Sequence, residues 1–359
     1  MRWAPVVLLW LLPACGPAEQ EPAPPVRPAP DQPGPYAVGV TTVESEGVVE
    51  VWYPAVDPGT EPDPYPDVPY ALGAHRDADP DRRGAPYPLV AFSHGFGGIR
   101  YQSAFLTEHL AAHGFVVVAP DHRHNTMLDL DESMTGQVLV ERPGDIARAV
   151  DLVPELPGLV GLAAAESYAV VGHSFGGVTA LLVGGGELDV GYAQAHCDEH
   201  HDRGCAFFTD GEIGDPELAS PDPRAVVAVD LCPGGWYAFG TSGLDGLGPT
   251  LAVAGDRDQD LPYDREGRPT MDALPAPKHL VVLADAGHWG VTDLCALAPV
   301  IDECRGAEAG WMEPHRAQAI VRTLVTAYAG DALLDDPQYA SWLVPDAWPD
   351  ADVELEVVP

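Results

Sequence analysis

The sequence predicts a mainly parallel, doubly wound α/β sheet, and three observations carry that prediction. Short apolar runs recur at regular distances: Leu89 to Phe92, Phe115 to Ala119, Tyr168 to Val171, Ala225 to Val229, Thr250 to Ala254 and His279 to Leu283. Helix-like stretches separate most of them, as at Ser103 to His113, Asp145 to Val153 and Val178 to Val183, with one more at Pro314 to Tyr328 after the last run. Strands without polar alternation need cover on both faces, which intervening helices supply. The third observation is Gly172-His173-Ser174-Phe175-Gly176, a Gly-x-Ser-x-Gly pentapeptide between an apolar run and a helix-like one. Such glycines let a strand turn sharply into a helix and hold the serine in a strained, exposed turn.

The elements follow in chain order. Residues 1–15 have the form of an export leader: Arg2, the apolar stretch Val6 to Leu12, then Leu12-Pro13-Ala14-Cys15-Gly16, which resembles the lipidation site of bacterial lipoproteins. The apolar stretch is too short to span a bilayer as a stable helix. The expectation is a protein exported to the bacterial cell envelope and held to a membrane by lipid on Cys15. Residues 16–35 carry Pro17, Pro22, Pro24, Pro25, Pro28, Pro30, Pro33 and Pro35, the composition of a stiff tether. One domain is expected over 36–330. It opens on a hairpin, Val38 to Val43 and Val48 to Tyr53, and continues through a loop rich in Pro and Asp at 54–87. Residues 184–224 interrupt the strand and helix rhythm as a small insertion over the sheet, and 331–359 form an acidic tail.

Export makes the cysteines legible, because an oxidising compartment favours disulfides. Cys197 with Cys205, and Cys295 with Cys304, are the simple local pairings, leaving Cys232 over. The run His196-Cys197-Asp198-Glu199-His200-His201-Asp202 lacks C-x-x-C spacing, so a stapled loop is expected there and no metal. The formal net charge is -37, and Lys278 is the only lysine. A nucleic-acid partner is therefore excluded, since binding a phosphate backbone needs the opposite sign.

The candidate chemistry sits in loops that follow predicted strands, where a doubly wound sheet gathers its functional residues. Ser174 is the expected nucleophile. Ser93-His94-Gly95-Phe96-Gly97-Gly98 gives a tight backbone suited to an oxyanion hole, built from the Phe96 and Phe175 N–H groups. His288, in Ala286-Gly287-His288-Trp289 after the last run, is the expected base, given the chain order serine, acid, histidine. Two aspartates compete to orient it, and Asp256 is a third candidate. Asp258 follows one strand in a Gly-x-x-Asp-x-x-x-Pro pattern, and Asp230 ends the preceding one. Phe96, Phe175, Trp236 and Trp289 stand close enough in sequence to line an apolar pocket.

Together Ser93-His94-Gly95-Phe96-Gly97-Gly98, Leu110-Ala111-Ala112-His113-Gly114-Phe115, Asp121-His122-Arg123 and Gly172-His173-Ser174-Phe175-Gly176-Gly177 resemble the plasma and type II platelet-activating-factor acetylhydrolases and their bacterial relatives, labelled predicted dienelactone hydrolases. The likeness runs from about Val38 to about Ala329. It implies an α/β-hydrolase fold and a metal-free serine esterase mechanism without a cofactor. The implied substrates are esters with a short or modified acyl chain. In the acetylhydrolases the acid ends the strand after the nucleophile helix, here Asp230, with Trp236 in a loop similar to the family's aromatic one. Many relatives use the later position, here Asp258. The expected function is hydrolysis of short-acyl phospholipid-like or other small esters. A polyesterase or dienelactone-type hydrolase, and a non-catalytic ligand-binding lipoprotein of the same fold, are the alternatives.

Overall fold

Alternation along the strands decides the layers. A computed structural model describes residues 23–44, 46–65, 73–209, 212–334 and 336–359. The strands are β1 (Ala37–Glu44), β2 (Val48–Ala55), β3 (Ala74–Arg76), β4 (Tyr87–Ser93), β5 (Val116–Pro120), β6 (Ala163–His173), β7 (Ala225–Leu231), β8 (Thr250–Gly255), β9 (Lys278–Leu283) and β10 (Val353–Val358). They form a ten-stranded sheet in the order β10-β9-β8-β7-β6-β4-β5-β2-β1-β3. The run β5-β4-β6-β7-β8-β9 is parallel throughout, while β1 and β2 form the antiparallel hairpin. Within β4, Leu89 and Ala91 enter one buried cluster and Val90 and Phe92 the other.

Helices α1 (Ala104–Ala112), α2 (Thr135–Leu152) and α3 (Phe175–Val183) cover the parallel strands. Leu139, Ile146 and Leu181 from α2 and α3 pack on one face; Leu106 and Leu110 from α1 pack on the other. Burying these stripes supplies the main stabilisation, at about 25 cal/mol for each Å² of apolar surface removed from water. Helix α2 begins at Thr135, well before the expected Asp145. Pro143 lies inside it, and the burial of Val138, Leu139 and Val140 outweighs the missing backbone bond.

The insertion contains α4 (Val190–Glu199) and α5 (Ala206–Thr209), with Cys197 bonded to Cys205. Beyond it come α6 (Gly267–Ala273), α7 (Leu294–Leu297), α8 (Pro314–Leu334) and α9 (Pro337–Ala340). A second disulfide joins Cys295 to Cys304, and Cys232 is free and buried.

The proline-rich stretch departs from the expected tether, and the acidic tail takes a structure its composition left open. The leader and Cys15 lie outside the described residues. The later part of the proline-rich stretch is docked rather than extended: Arg27 Nε donates to His113 O (3.1 Å), and His109 and His113 Nε2 meet the carbonyls of Pro30 (2.9 Å) and Gln32 (2.8 Å). The acidic tail is part of the sheet. β10 pairs antiparallel with β9, burying Val353 and Leu355 and leaving Glu354 and Glu356 outside. That alternation of apolar and acidic residues is what an edge strand with one wet face requires.

Candidate active site

Ser174 sits between the last residue of β6 and the first of α3 with φ +57° and ψ −118°, a conformation that costs a β-carbon-bearing residue about 1–3 kcal/mol. The surroundings enforce it. A Cβ on Gly172 would collide with the Gly176 carbonyl, and one on Gly176 with the Ser93 carbonyl of the neighbouring strand. The Ser174 amide donates to Leu231 O on β7 at 2.7 Å, and Gly177 N donates to Ser174 O at 2.8 Å. The turn is therefore locked from both sides.

Across the strand ends, His288 Nδ1 meets Asp258 Oδ2 at 2.6 Å, with both side chains buried. An ionised carboxylate only accepts, so Nδ1 carries the proton and Nε2 is left free as a base. Asp258 Oδ1 accepts from the amides of Asp260 (2.8 Å) and Leu261 (2.7 Å). The loop around His288 has its own anchor: Trp289 N donates to Glu303 Oε1 at 2.5 Å, next to the Cys295–Cys304 bridge. Burial pushes the Glu303 carboxyl above its ordinary value, against the Trp289 amide that favours its charge.

Ser174 and His288 line one cavity of about 540 Å³, within the usual span for small-molecule sites. Its wall is apolar, with Phe96, Phe175, Leu139, Val178 and Trp289. Phe207 and Phe208, from the insertion, complete it. Nothing in their local sequence assigned them to the pocket; a Phe pair just after Cys205 in a polar loop was the available signal. The Phe96 and Phe175 amides make no backbone hydrogen bond to another described residue. Gln102 clamps the loop that carries Phe96, its Oε1 accepting from Gly95 N (3.0 Å) and its Nε2 facing His173 Nδ1 (3.0 Å).

The expected acid, Asp258, is the one paired with His288; the alternative acid and one expected pocket residue lie elsewhere. Asp230 does not meet His288: it is wholly buried against Gly177, and neither oxygen has a hydrogen-bond partner among the described residues. Burial alone pushes its carboxyl well above the ordinary range, so it is held neutral. Trp236 lies outside the cavity. It lines a neighbouring open groove with Tyr192, His196 and Arg265, and its successor Tyr237 reaches the cavity wall instead.

His173, Cys232 and His288 bring three metal-ligand atoms within 4.8 Å of one another. Both His173 nitrogens are engaged, by Gln102 and by His288 O (3.0 Å), and His288 Nδ1 faces Asp258. These bonds suit a serine site rather than a metal centre. In the insertion, His196 Nε2 meets Asp202 at 2.8 Å, and Arg265 also pairs with Asp202.

A ferulic acid esterase from Streptomyces cinnamoneus shares the fold, with a TM-score of 0.61 at 19% identity over 89% of this chain and 96% of that one. Residues 72–130 match the family described as platelet-activating factor acetylhydrolase, isoform II. Over those residues the chain is similar to that family, and its fold is the one the esterase has. Similar relatives include the platelet-activating factor acetylhydrolase of Canis lupus familiaris, 30% identical over 28% of this chain and 33% of the relative. Cutinase est1 of Thermobifida alba is 27% identical over 58% of this chain and 55% of its own length. The chain thus spans about half the length of these relatives, or less.

Proposed function

We propose that this protein is an exported serine carboxylic-ester hydrolase. The observation that carries the reading is the convergence, on one apolar cavity, of a strained serine and a histidine already paired to a buried aspartate. In the proposed reaction Ser174 Oγ attacks the ester carbonyl carbon and passes its proton to His288 Nε2. The carbonyl electron pair moves onto oxygen, where the Phe96 and Phe175 amides receive it. Collapse expels the alcohol, which takes the proton from His288. Water, giving a proton to His288, then attacks the acyl-enzyme carbonyl; collapse breaks the acyl–Oγ bond, His288 returns the proton to Ser174 Oγ, and the acid leaves.

Small or short-acyl phospholipid-like esters suit a mainly apolar pocket of this size. A polymeric ester is a second reading, supported by the rim beside the oxyanion loop. Phe96, Met127 and Leu128 are 38%, 54% and 63% exposed there, and Met127 N is tied to Gly98 O at 3.0 Å. Export and a lipid anchor at Cys15 belong to the same proposal and rest on the leader's composition, with the disulfides as support. A fluorophosphonate probe and a panel of esters of graded acyl length test the reading. The wild-type chain should be labelled and should turn over esters, and Ser174→Ala should lose both while keeping its fold; turnover by the Ala variant would refute it.

A further inference from the structure

Behind the oxyanion loop lies a second chain of serine, histidine and aspartate. Ser93 Oγ meets His122 Nε2 at 2.9 Å, and His122 Nδ1 meets Asp145 Oδ2 at 2.8 Å. Ser93 and His122 are wholly buried, so this serine has no access to substrate. Burial, with the nearby Arg142 and Arg148 charges, holds His122 far below its ordinary value and therefore neutral. Its Nδ1–H then donates to Asp145, and Nε2 accepts from the Ser93 hydroxyl. His122 N donates to His94 Nε2 at 3.1 Å, and His94 Nδ1 meets Gly95 O at 2.8 Å, which fixes the backbone just before Phe96.

A single cation stands at the centre of this network. Arg142, on α2, is fully buried in a protein of net charge -37, yet all its acceptors among the described residues are neutral. Nη1 donates to Asn125 Oδ1 (3.1 Å); Nη2 donates to Ser93 Oγ (3.1 Å) and to the carbonyl of His94. Its guanidinium carbon lies 4.2 Å from the centroid of the Phe175 ring. The nearby Asp145 is engaged by His122 and Arg148 instead. Burial lowers the Arg142 pKa to about 9, so the group stays charged at neutral pH. One guanidinium thus touches both segments that supply the oxyanion donors: the His94 carbonyl two residues before Phe96, and the ring of Phe175.

We propose that Arg142 is a positioning residue for the oxyanion hole, holding the Phe96 and Phe175 amides in line and placing behind the oxygen that becomes negative a positive charge that no carboxylate among the described residues hydrogen-bonds. The inference rests on the serine-esterase reading. In a water-poor interior a fixed charge stabilises developing negative charge far more than it would in water. Its effect therefore belongs to the tetrahedral state rather than to substrate binding.

The test uses the full chain with Arg142→Gln and Arg142→Lys, a soluble short-acyl ester, and a trifluoromethyl ketone that Ser174 would convert to a tetrahedral oxyanion adduct. The expected result for the Gln variant is a fall in kcat of about 10²-fold, the scale of losing one oxyanion donor, with KM little changed. The ketone inhibition constant should rise by the same factor. The Lys variant keeps charge without the planar fork and should lie between wild type and Gln on both measures. Should Gln fail to fold, the Lys variant carries the test alone. Wild-type turnover in either folded variant, or reduced turnover with ketone affinity unchanged, overturns the proposal. Failure of the parent reading is separate: there the wild-type chain itself neither hydrolyses the ester nor binds the ketone.

Discussion

Asp258 spends one carboxylate oxygen on the amides of Asp260 and Leu261 and offers the other to His288. Asp230, on the adjacent strand, offers its oxygens to nothing among the described residues. Asp258→Asn should therefore lower kcat by about 10⁴-fold, the cost of the wrong imidazole tautomer in serine proteases, while Asp230→Asn keeps most of the rate. Steady-state kinetics on one ester checks both. Asp230 also predicts a stability effect. An acid whose folded pKa is raised keeps a proton that unfolding releases, so its cost is absent below the unfolded pKa of about 4 and grows as pH rises toward the folded value. Asp230→Asn removes that titration at nearly constant shape. Urea unfolding should show the variant gaining on wild type at pH 8 and gaining little at pH 4; equal differences at the two pH values would contradict a neutral buried carboxyl.

At the scale of elements, the stapled insertion shapes the pocket. Phe207 stacks on Phe175 with ring centroids 4.1 Å apart and meets Phe96 at 6.0 Å, so it walls the cavity beside the nucleophile. Phe207→Ala should lengthen the preferred acyl chain, with kcat/KM for the shortest ester falling about tenfold while longer esters hold or gain. The ester panel reads this directly, and a uniform loss across all lengths would instead assign Phe207 to support of the fold. The insertion was visible as a break in rhythm, and its cysteine pair was legible from spacing. Its inward aromatic face was not, because short helices pinned by a disulfide owe their orientation to what they pack against.

For the whole molecule, the imbalance of charge is the governing fact. With a formal net charge of -37, the folded chain crowds like charges that unfolding would separate, and salt screens them over about 10 Å at 0.1 M. Thermal unfolding should therefore shift upward by several degrees between low salt and about 1 M sodium chloride, where the screening length drops to about 3 Å. A flat or falling midpoint would show that local ion pairs, such as Arg316 with Asp350 and Asp352, already neutralise the surface.

Local pattern was enough to specify the parallel sheet, the hairpin at its start, the elbow at Ser174 and the histidine loop, because strand periodicity, glycine sterics and chain order are properties of short segments. Both disulfide pairings were legible for the same reason. Packing made the other decisions. Asp230 and Asp258 both lie near strand ends in the sequence; what separates them is that Asp230 stays inside β7 while the loop after β8, tied by the amides of Asp260 and Leu261, brings Asp258 to His288. The acidic tail became a strand only because β9 offered it an open edge. Arg142, beside a proline in mid-helix, gave no local sign of its place behind the oxyanion loop, since burial of a charge is set by every element around it.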